Sequence, residues 1–261
     1  MDTLHVIKIG GNIIDDEAKL SLFLQSFADL EGRKILVHGG GKLATKLAGQ
    51  LGVEQTMVDG RRITDAETLK IVTMVYAGYI NKNIVAQLQA KGCRSIGLTG
   101  ADGAMIKAHK RAHASIDYGF VGDVDGVDTG LLQSILEQQI AVIAAPITDD
   151  GQGQLLNTNA DTIAQEIAKV MGSVYKVILI YSFEKNGVLL DVNDNTSVVP
   201  VIDAAVYNDL KSKELIFAGM LPKLDNAFAA LQSGVDKVII GNAEDLAALV
   251  NGTSGTTIIH G

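Results

Sequence analysis

Apolar positions along this chain fall into two alternating rhythms. "HVIKI", "KILVHG", "RSIGLTG", "IAVIAAP", "KVILIYS", "DKVIIG" and "GTTIIHG" are short runs rich in valine and isoleucine. Each is long enough for a strand and too short for a typical helix. Between them apolar residues recur at helical spacing over residues 17–30, 42–51, 66–91, 130–139, 160–171, 220–233 and 243–250. Continuous apolar strands separated by helices predict an α/β fold, with an open, mainly parallel central sheet covered by helices on both faces. Residues 104–128 and 148–156 break the rhythm, and "DYGFVGDVDGV" and "TDDGQGQLL" within them read as hairpins. No internal repeat, low-complexity tract or Pro-rich linker divides the chain. The expectation is one continuous domain with a lobe boundary near residues 172–173, giving lobes 1–172 and 173–261.

Composition narrows the classes. The 261 residues are 47% apolar, which supports a real core, yet nowhere do 18 apolar residues run together as a membrane span requires. The start lacks the basic-then-apolar layout of a secretory leader and enters a strand at once. The single cysteine, Cys93, excludes an intramolecular disulfide framework and fits a reducing compartment. A net charge of −8 argues against a nucleic-acid partner, and the absence of tryptophan removes one base-stacking platform. The expectation is a cytoplasmic, soluble protein with neither nucleic-acid nor membrane partners.

Candidate chemistry collects at strand ends. In an open α/β sheet, ligands gather where C-terminal strand ends meet helix N-termini. Here the strand ends carry Gly10–Gly11, then "HGGGK" with Gly39, Gly40 and Gly41, then Gly97 and Gly100. Glycines let backbone N–H groups close around phosphate or carboxylate oxygens. The Walker pattern fails, because Leu36 stands at its first glycine and Leu43 follows Lys42. The dinucleotide pattern is met by Gly39, Gly41 and Ala44, but its acid, Asp59, follows the poor strand "VEQTMVDG". A dinucleotide-dependent oxidoreductase therefore stays open as an alternative.

No metal site is expected. "DVNDNT" begins like a calcium loop but carries Thr196 and Ile202 at two defining positions, and the histidines are scattered.

Four polar sets complete the picture. Lys8 lies inside an apolar strand, where a sheet covered on both faces favours a cation aimed at the strand-end anion over a solvated edge charge. Lys223, in "AGMLPKLDNA", reads from sequence alone as a solvated helix lysine, with Pro222 suited to a first turn and Gly219 to the preceding loop. Arg61 and Arg62 are equally readable as a carboxylate clamp or a solvated pair, and Thr64 with Glu67 fits a capping box. Asn157, Asn159 and Asp161 precede or open an amphipathic helix; capping accounts for one of the three, and the alternation turns the others toward a ligand.

Taken together, "IKIGGN", "VHGGGK", "GRRIT", "LTGADG", "GFVGDVDGV", "NTNADTIA" and "AGMLPKLDNA" resemble, in order, the N-acetylglutamate kinase branch of the amino acid kinase family. Single motifs are shared with carbamate and aspartate kinases; the series is specific to the branch. The resemblance implies the amino acid kinase αβα sandwich and ATP-dependent phosphorylation of the side-chain carboxylate of an N-acyl-L-glutamate, within arginine biosynthesis. It implies that Lys8 and Lys223 neutralise the phosphoryl group in flight while Asp161 holds both. It gives Gly10 and Gly11 to phosphate, Gly40, Gly41, Arg62 and Asn157 to the substrate, lobe 1–172 to acylglutamate and dimerisation, and lobe 173–261 to ATP. Magnesium would ride with ATP through phosphate oxygens and water. The chemistry agrees: an ionised carboxylate needs no general base, so positioning and cationic stabilisation suffice.

Three points remain open at this level. "YSFEKNGV" departs from the family's Ser/Thr-Asp-Val-x-Gly-Val, with Phe183 in place of the aspartate, which leaves Ser182 and Glu184 unassigned and a catalytically weak acylglutamate-binding protein as a further alternative. Acetyl is the family default, while succinyl would share every quoted motif. The start at the first strand resembles arginine-insensitive members, so a homodimer is expected, with "IVTMVYAGYINKNIVAQL" either its face or a core helix.

Overall fold

The computed structural model describes residues 1–58, 61–213, 215–216 and 220–260. Asp59, Gly60, Ala218 and Gly219, which enter motifs quoted above, lie outside the described residues.

The chain runs β1 (Thr3–Ile9), α1 (Gly11–Ile14), α2 (Glu17–Asp29), β2 (Arg33–His38), α3 (Gly41–Gln50), β3 (Met57–Val58), β4 (Arg61–Arg62), α4 (Ala66–Thr73), a π-helical segment (Met74–Ile80), and α5 (Asn81–Ala90). It continues through β5 (Ser95–Leu98), β6 (Ile106–Lys110), β7 (Val121–Val127), α6 (Thr129–Glu137), β8 (Ala141–Ala144), β9 (Ile147–Asp149), β10 (Leu155–Thr158) and α7 (Ala160–Met171). The last third holds β11 (Lys176–Phe183), β12 (Val201–Ile202), α8 (Ala204–Ser212), α9 (Leu221–Gln232), β13 (Lys237–Asn242), α10 (Leu246–Val250) and β14 (Thr256–Ile258).

Eight strands form one sheet in the order β12-β14-β13-β11-β1-β2-β8-β5. The six from β13 to β5 are parallel, and β14 runs antiparallel to β13. All seven apolar runs are strands of this sheet. Those drawn from residues 1–172 fill one half and those from 173–261 the other, joined where β1 pairs with β11.

Strand alternation divides the core into two layers. On β1, Leu4 and Val6 pack with α6, α7, α8 and α9 on one face, while Ile7 and Ile9 pack with α2, α3, α5 and α10 on the other. Lys8 follows Leu4 and Val6 in this alternation, so its side chain leaves the sheet on the α7–α9 face. That places it beside a helix N-terminus instead of in solvent.

The irregular stretches build a second, smaller unit. "TDDGQGQLL" is the hairpin β9–β10, as read, whereas "DYGFVGDVDGV" supplies only β7, whose antiparallel partner is β6. These four strands close into a small barrel, and β3 pairs with β4 as a separate ribbon. The dinucleotide reading loses its support here. After α3 the chain enters this two-residue ribbon strand, and the neighbours of β2 in the sheet are β1 and β8.

Candidate active site

The N-terminal turn of α7 organises the site. Asn159 is the N-cap, its side chain accepting from the backbone N–H groups of Asp161 and Thr162 at 2.9 and 3.1 Å. Asn157, two residues earlier on β10, donates from Nδ2 to Thr64 Oγ1 at 3.0 Å. Asp161 is free of both duties and is the carboxylate on which the two lysines meet. Lys8 Nζ lies 2.8 Å from Oδ1, at ion-pair distance though outside hydrogen-bond alignment, and Lys223 Nζ donates to Oδ2 at 3.4 Å. The three alternate polar residues thus divide as capping, loop-holding and charge.

Burial pushes the Asp161 carboxyl up, but Lys8 and Lys223 together outweigh it and hold its pKa below the ordinary carboxylate value. Asp161 is therefore ionised, and the cluster carries a net positive charge. Lys223 reaches it from the first turn of α9, which contains Pro222 as expected. The solvated-lysine reading of Lys223 is displaced by this geometry, which brings together residues 8, 161 and 223.

Beside this cluster, a cavity of about 200 Å³ is lined by Gly39, Gly40, Gly41, Arg61, Arg62, Asn157 and the α7 turn, among others. The buried Arg62 donates from Nη1 to Gln55 Oε1 and from Nη2 to Gly41 O and Thr45 Oγ1 at 2.9 and 3.0 Å. Its plane is thereby locked to the first turn of α3, with remaining donors uncommitted among the described residues. The expected capping box is absent. Asp65 caps α4, accepting from Thr68 N at 2.7 Å, while the Thr64 hydroxyl donates to Arg62 O and accepts from Asn157. Thr64 thus ties the arginine strand to the asparagine strand.

The glycines play distinct parts. The Gly10 N–H donates to Ser182 O at 3.0 Å, so Gly10 joins β1 to β11 and does not itself offer that donor to a ligand. Gly11 opens α1 and Gly41 opens α3, positions whose N–H groups lack intrahelical acceptors. Gly40 has φ 147°, and a Cβ there would fall 2.2 Å from Ile80 Cδ1 and 3.1 Å from Tyr76. The π-helical segment therefore presses directly on the glycine turn, which only glycine permits.

A buried polar network that sequence reading missed supports that turn. His38, fully buried at the end of β2, shares a 2.8 Å hydrogen bond between Nδ1 and Gly39 O. Its Nε2 lies 3.2 Å from Asn81 Nδ2, which also donates to Ile143 O at 2.9 Å. Since the Gly39 carbonyl only accepts, His38 carries its proton on Nδ1, and Nε2 accepts from Asn81. Burial lowers the His38 pKa to about 4, keeping the ring neutral. Asn81 approaches because Gly97 has no side chain; a Cβ there would lie 1.9 Å from Asn81 Oδ1. Lining residues Tyr76, Arg111 and Thr162 were also missed; Arg111 is held by Asp123 and stacks its guanidinium 5.7 Å from Tyr118. No local spacing announces such contacts.

The residues of "YSFEKNGV" that were left unassigned have local contacts. The buried Ser182 hydroxyl donates to Lys8 O at 3.0 Å, and Glu184 stands with Asn12, Lys42 and Asn242 around a separate surface recess. Among the described residues no group of three or more His, Cys, Asp or Glu is placed to hold a metal ion. No helix among them is long and apolar enough to cross a membrane.

Fold and site together define an α/β protein that gathers two lysines and the N-terminal turns of several helices near the C-terminal ends of its parallel strands. The chain belongs to the amino acid kinase family, whose model matches residues 3–242. It is 53% identical over 257 residues to an acetylglutamate kinase of Phocaeicola vulgatus, covering 98% of each chain. It is 54% identical over 246 residues to an acetylglutamate kinase of Parabacteroides distasonis, covering 94% of this chain and 96% of that one. Among solved structures it resembles an N-acetylglutamate synthase of Neisseria gonorrhoeae complexed with coenzyme A and N-acetyl-glutamate. There the TM-score is 0.81 at 21% identity, over 99% of this chain but only 59% of that longer one, a likeness of fold alone.

Proposed function

We propose that the protein transfers the γ-phosphoryl group of ATP to the side-chain carboxylate of N-acetyl-L-glutamate, giving an acyl phosphate and ADP. The observation that carries this reading is the convergence of Lys8 and Lys223 on Asp161 beside an arginine-lined cavity. A site that only bound acylglutamate would have no use for two ammonium groups outside the carboxylate grip. Full-length likeness to acetylglutamate kinases favours this reaction, with acetyl as the acyl group, over oxidoreductase and binding-only readings.

The step follows from electrostatics. The acceptor carboxylate is ionised at neutral pH and attacks without a base. A bond forms from its oxygen to the γ-phosphorus as the bond to the bridging oxygen breaks, the electron pair leaving with ADP. Repulsion between two anions is the obstacle, and charge on the equatorial oxygens is what must be stabilised. Lys8 and Lys223 supply that charge, and Asp161 keeps both at one place between turnovers. The N–H groups of Gly11 and of Gly40–Gly41 approach the oxygens, with Gly10 fixing the turn. Arg62 grips the α-carboxylate, and Asn157 meets the amide end. Asp161 is committed to the lysines, so a magnesium ion would be held by the phosphates of ATP and water, where it would add to the neutralisation of phosphate charge.

The half of the sheet from residues 1–172 holds the acylglutamate and forms a homodimer, and the half from 173–261 holds ATP. The protein works in the cytoplasm.

The test is ATP consumption with N-acetyl-L-glutamate, trapping the acyl phosphate with hydroxylamine. Turnover is expected in the wild type, with kcat lowered by about two or more orders of magnitude in Lys8→Ala and Lys223→Ala. Folded wild-type protein that forms no hydroxamate overturns the assignment.

A further inference from the structure

Tyr181 and Phe183 lie two residues apart near the C-terminal end of β11, so both side chains project to the same face as Lys8, the register partner of Tyr181. The Lys223 ammonium stands 5.9 Å from the centre of the Tyr181 ring and 5.6 Å from that of Phe183. The same ammonium lies 3.4 Å from Asp161 Oδ2. Phe183 also borders the phosphate turn: its Cβ lies 3.5 Å from where a Cβ on Gly10 would be.

We propose that Tyr181 and Phe183 form an aromatic cradle that holds the Lys223 ammonium against Asp161, making Phe183 a positioning residue for phosphoryl transfer. The consequence for turnover rests on the function proposed above; the cradle itself does not.

The physical case is one of geometry and entropy. Lys223 approaches from the first turn of a helix on a flexible stem, and one 3.4 Å contact shared with Lys8 is a weak tether. Two ring faces within about 6 Å attract the cation through their quadrupoles while leaving its N–H donors for oxygen ligands. A carboxylate at residue 183 would compete with Asp161 for the ammonium and subtract charge from the phosphate site. A phenyl ring holds the lysine without neutralising it. Tyr181 is fixed in turn: it is buried, and its hydroxyl donates to Asp161 O at 3.4 Å.

The experiment uses the full chain labelled with ¹³C at lysine Cε, without nucleotide, the Lys223 resonance being assigned by its loss in Lys223→Arg. Ring currents above two aromatic faces move the Lys223 CεH₂ signal upfield of the other lysines. It returns toward them in Phe183→Leu and stays shifted in Phe183→Tyr. In turnover, Phe183→Leu lowers kcat about fivefold with KM for the acylglutamate unchanged, and Phe183→Tyr restores it. A wild-type Lys223 signal among the solvent-exposed lysines overturns the cradle, even if the enzyme turns over normally. A shifted signal that Phe183→Leu releases upholds it, even if no phosphoryl transfer is found, in which case only the proposed function falls.

Discussion

Asp161 stands between two ammonium groups that would otherwise repel one another, and its charge is worth most where it is ionised. Its pKa in the folded protein lies below the unfolded value, so the stabilisation is fully present above the ordinary carboxylate pKa and is lost as pH falls through the folded value. Chemical denaturation of wild type and Asp161→Asn should therefore show a stability difference that is constant near neutrality and shrinks below about pH 4. His38 obeys the same linkage with a different window. Its folded pKa of about 4 lies below that of a free imidazole, so the unfolded chain takes up the proton first. Stability should fall as pH drops from about 6.5 toward 4, by at most about 3 kcal/mol. A His38→Gln variant should lack that part of the slope. An unchanged acid limb in the variant would show that the buried imidazole does not set it.

At the scale of elements, the contact between the π-helical segment and the glycine turn makes a sharp demand. Gly40→Ala places a methyl group on Ile80 and strains a backbone that only glycine adopts readily, so both stability and acylglutamate binding should suffer. Adding Ile80→Ala relieves the clash but not the strain. Thermal melts of the double variant should recover part of the loss and leave a residue of about 1–2 kcal/mol. Full recovery would mean the backbone carries no strain. Seven of the eight sheet strands were legible as short apolar runs; β1, β2, β8, β11 and β13 are buried on both faces, while β5, at the sheet edge, leaves Ile96 exposed. By contrast, α8 buries only Tyr207 and Leu210 and gives no clear period, while α1 and β12 are too short to register. The π-helical segment was invisible because apolar spacing reads straight through residues 66–91. In the site, a lysine inside a strand covered on both faces pointed to Lys8, and alternate polar residues pointed to Asn157 and Asp161. Lys223 needed the family resemblance, and His38 with Asn81 needed the fold, since 43 residues separate them.

For the whole molecule, the π-helical segment shows its other side outward. Met74 and Tyr79 are 54% and 63% exposed, and Leu43 and Leu47 of α3 line the same recess. These apolar side chains, with Lys46 and Gln50 beside them, fit the proposed homodimer. Sedimentation equilibrium should give twice the 27.5 kDa chain mass for wild type and the single mass for a Met74→Glu/Tyr79→Glu variant. A wild-type monomer at micromolar concentration would remove the dimer from the proposal.

Ile80 and Tyr76 crowd the Gly40 turn, while Met74 and Tyr79, interleaved with them in the same seven residues, face outward on the surface proposed for the homodimer. A segment shared in this way links what happens on its two sides. Whatever factor acylglutamate adds to subunit association, association must return to acylglutamate affinity, because the two equilibria close one thermodynamic cycle. Dilution should then weaken substrate binding as the dimer comes apart, making enzyme concentration itself a modulator of the apparent KM.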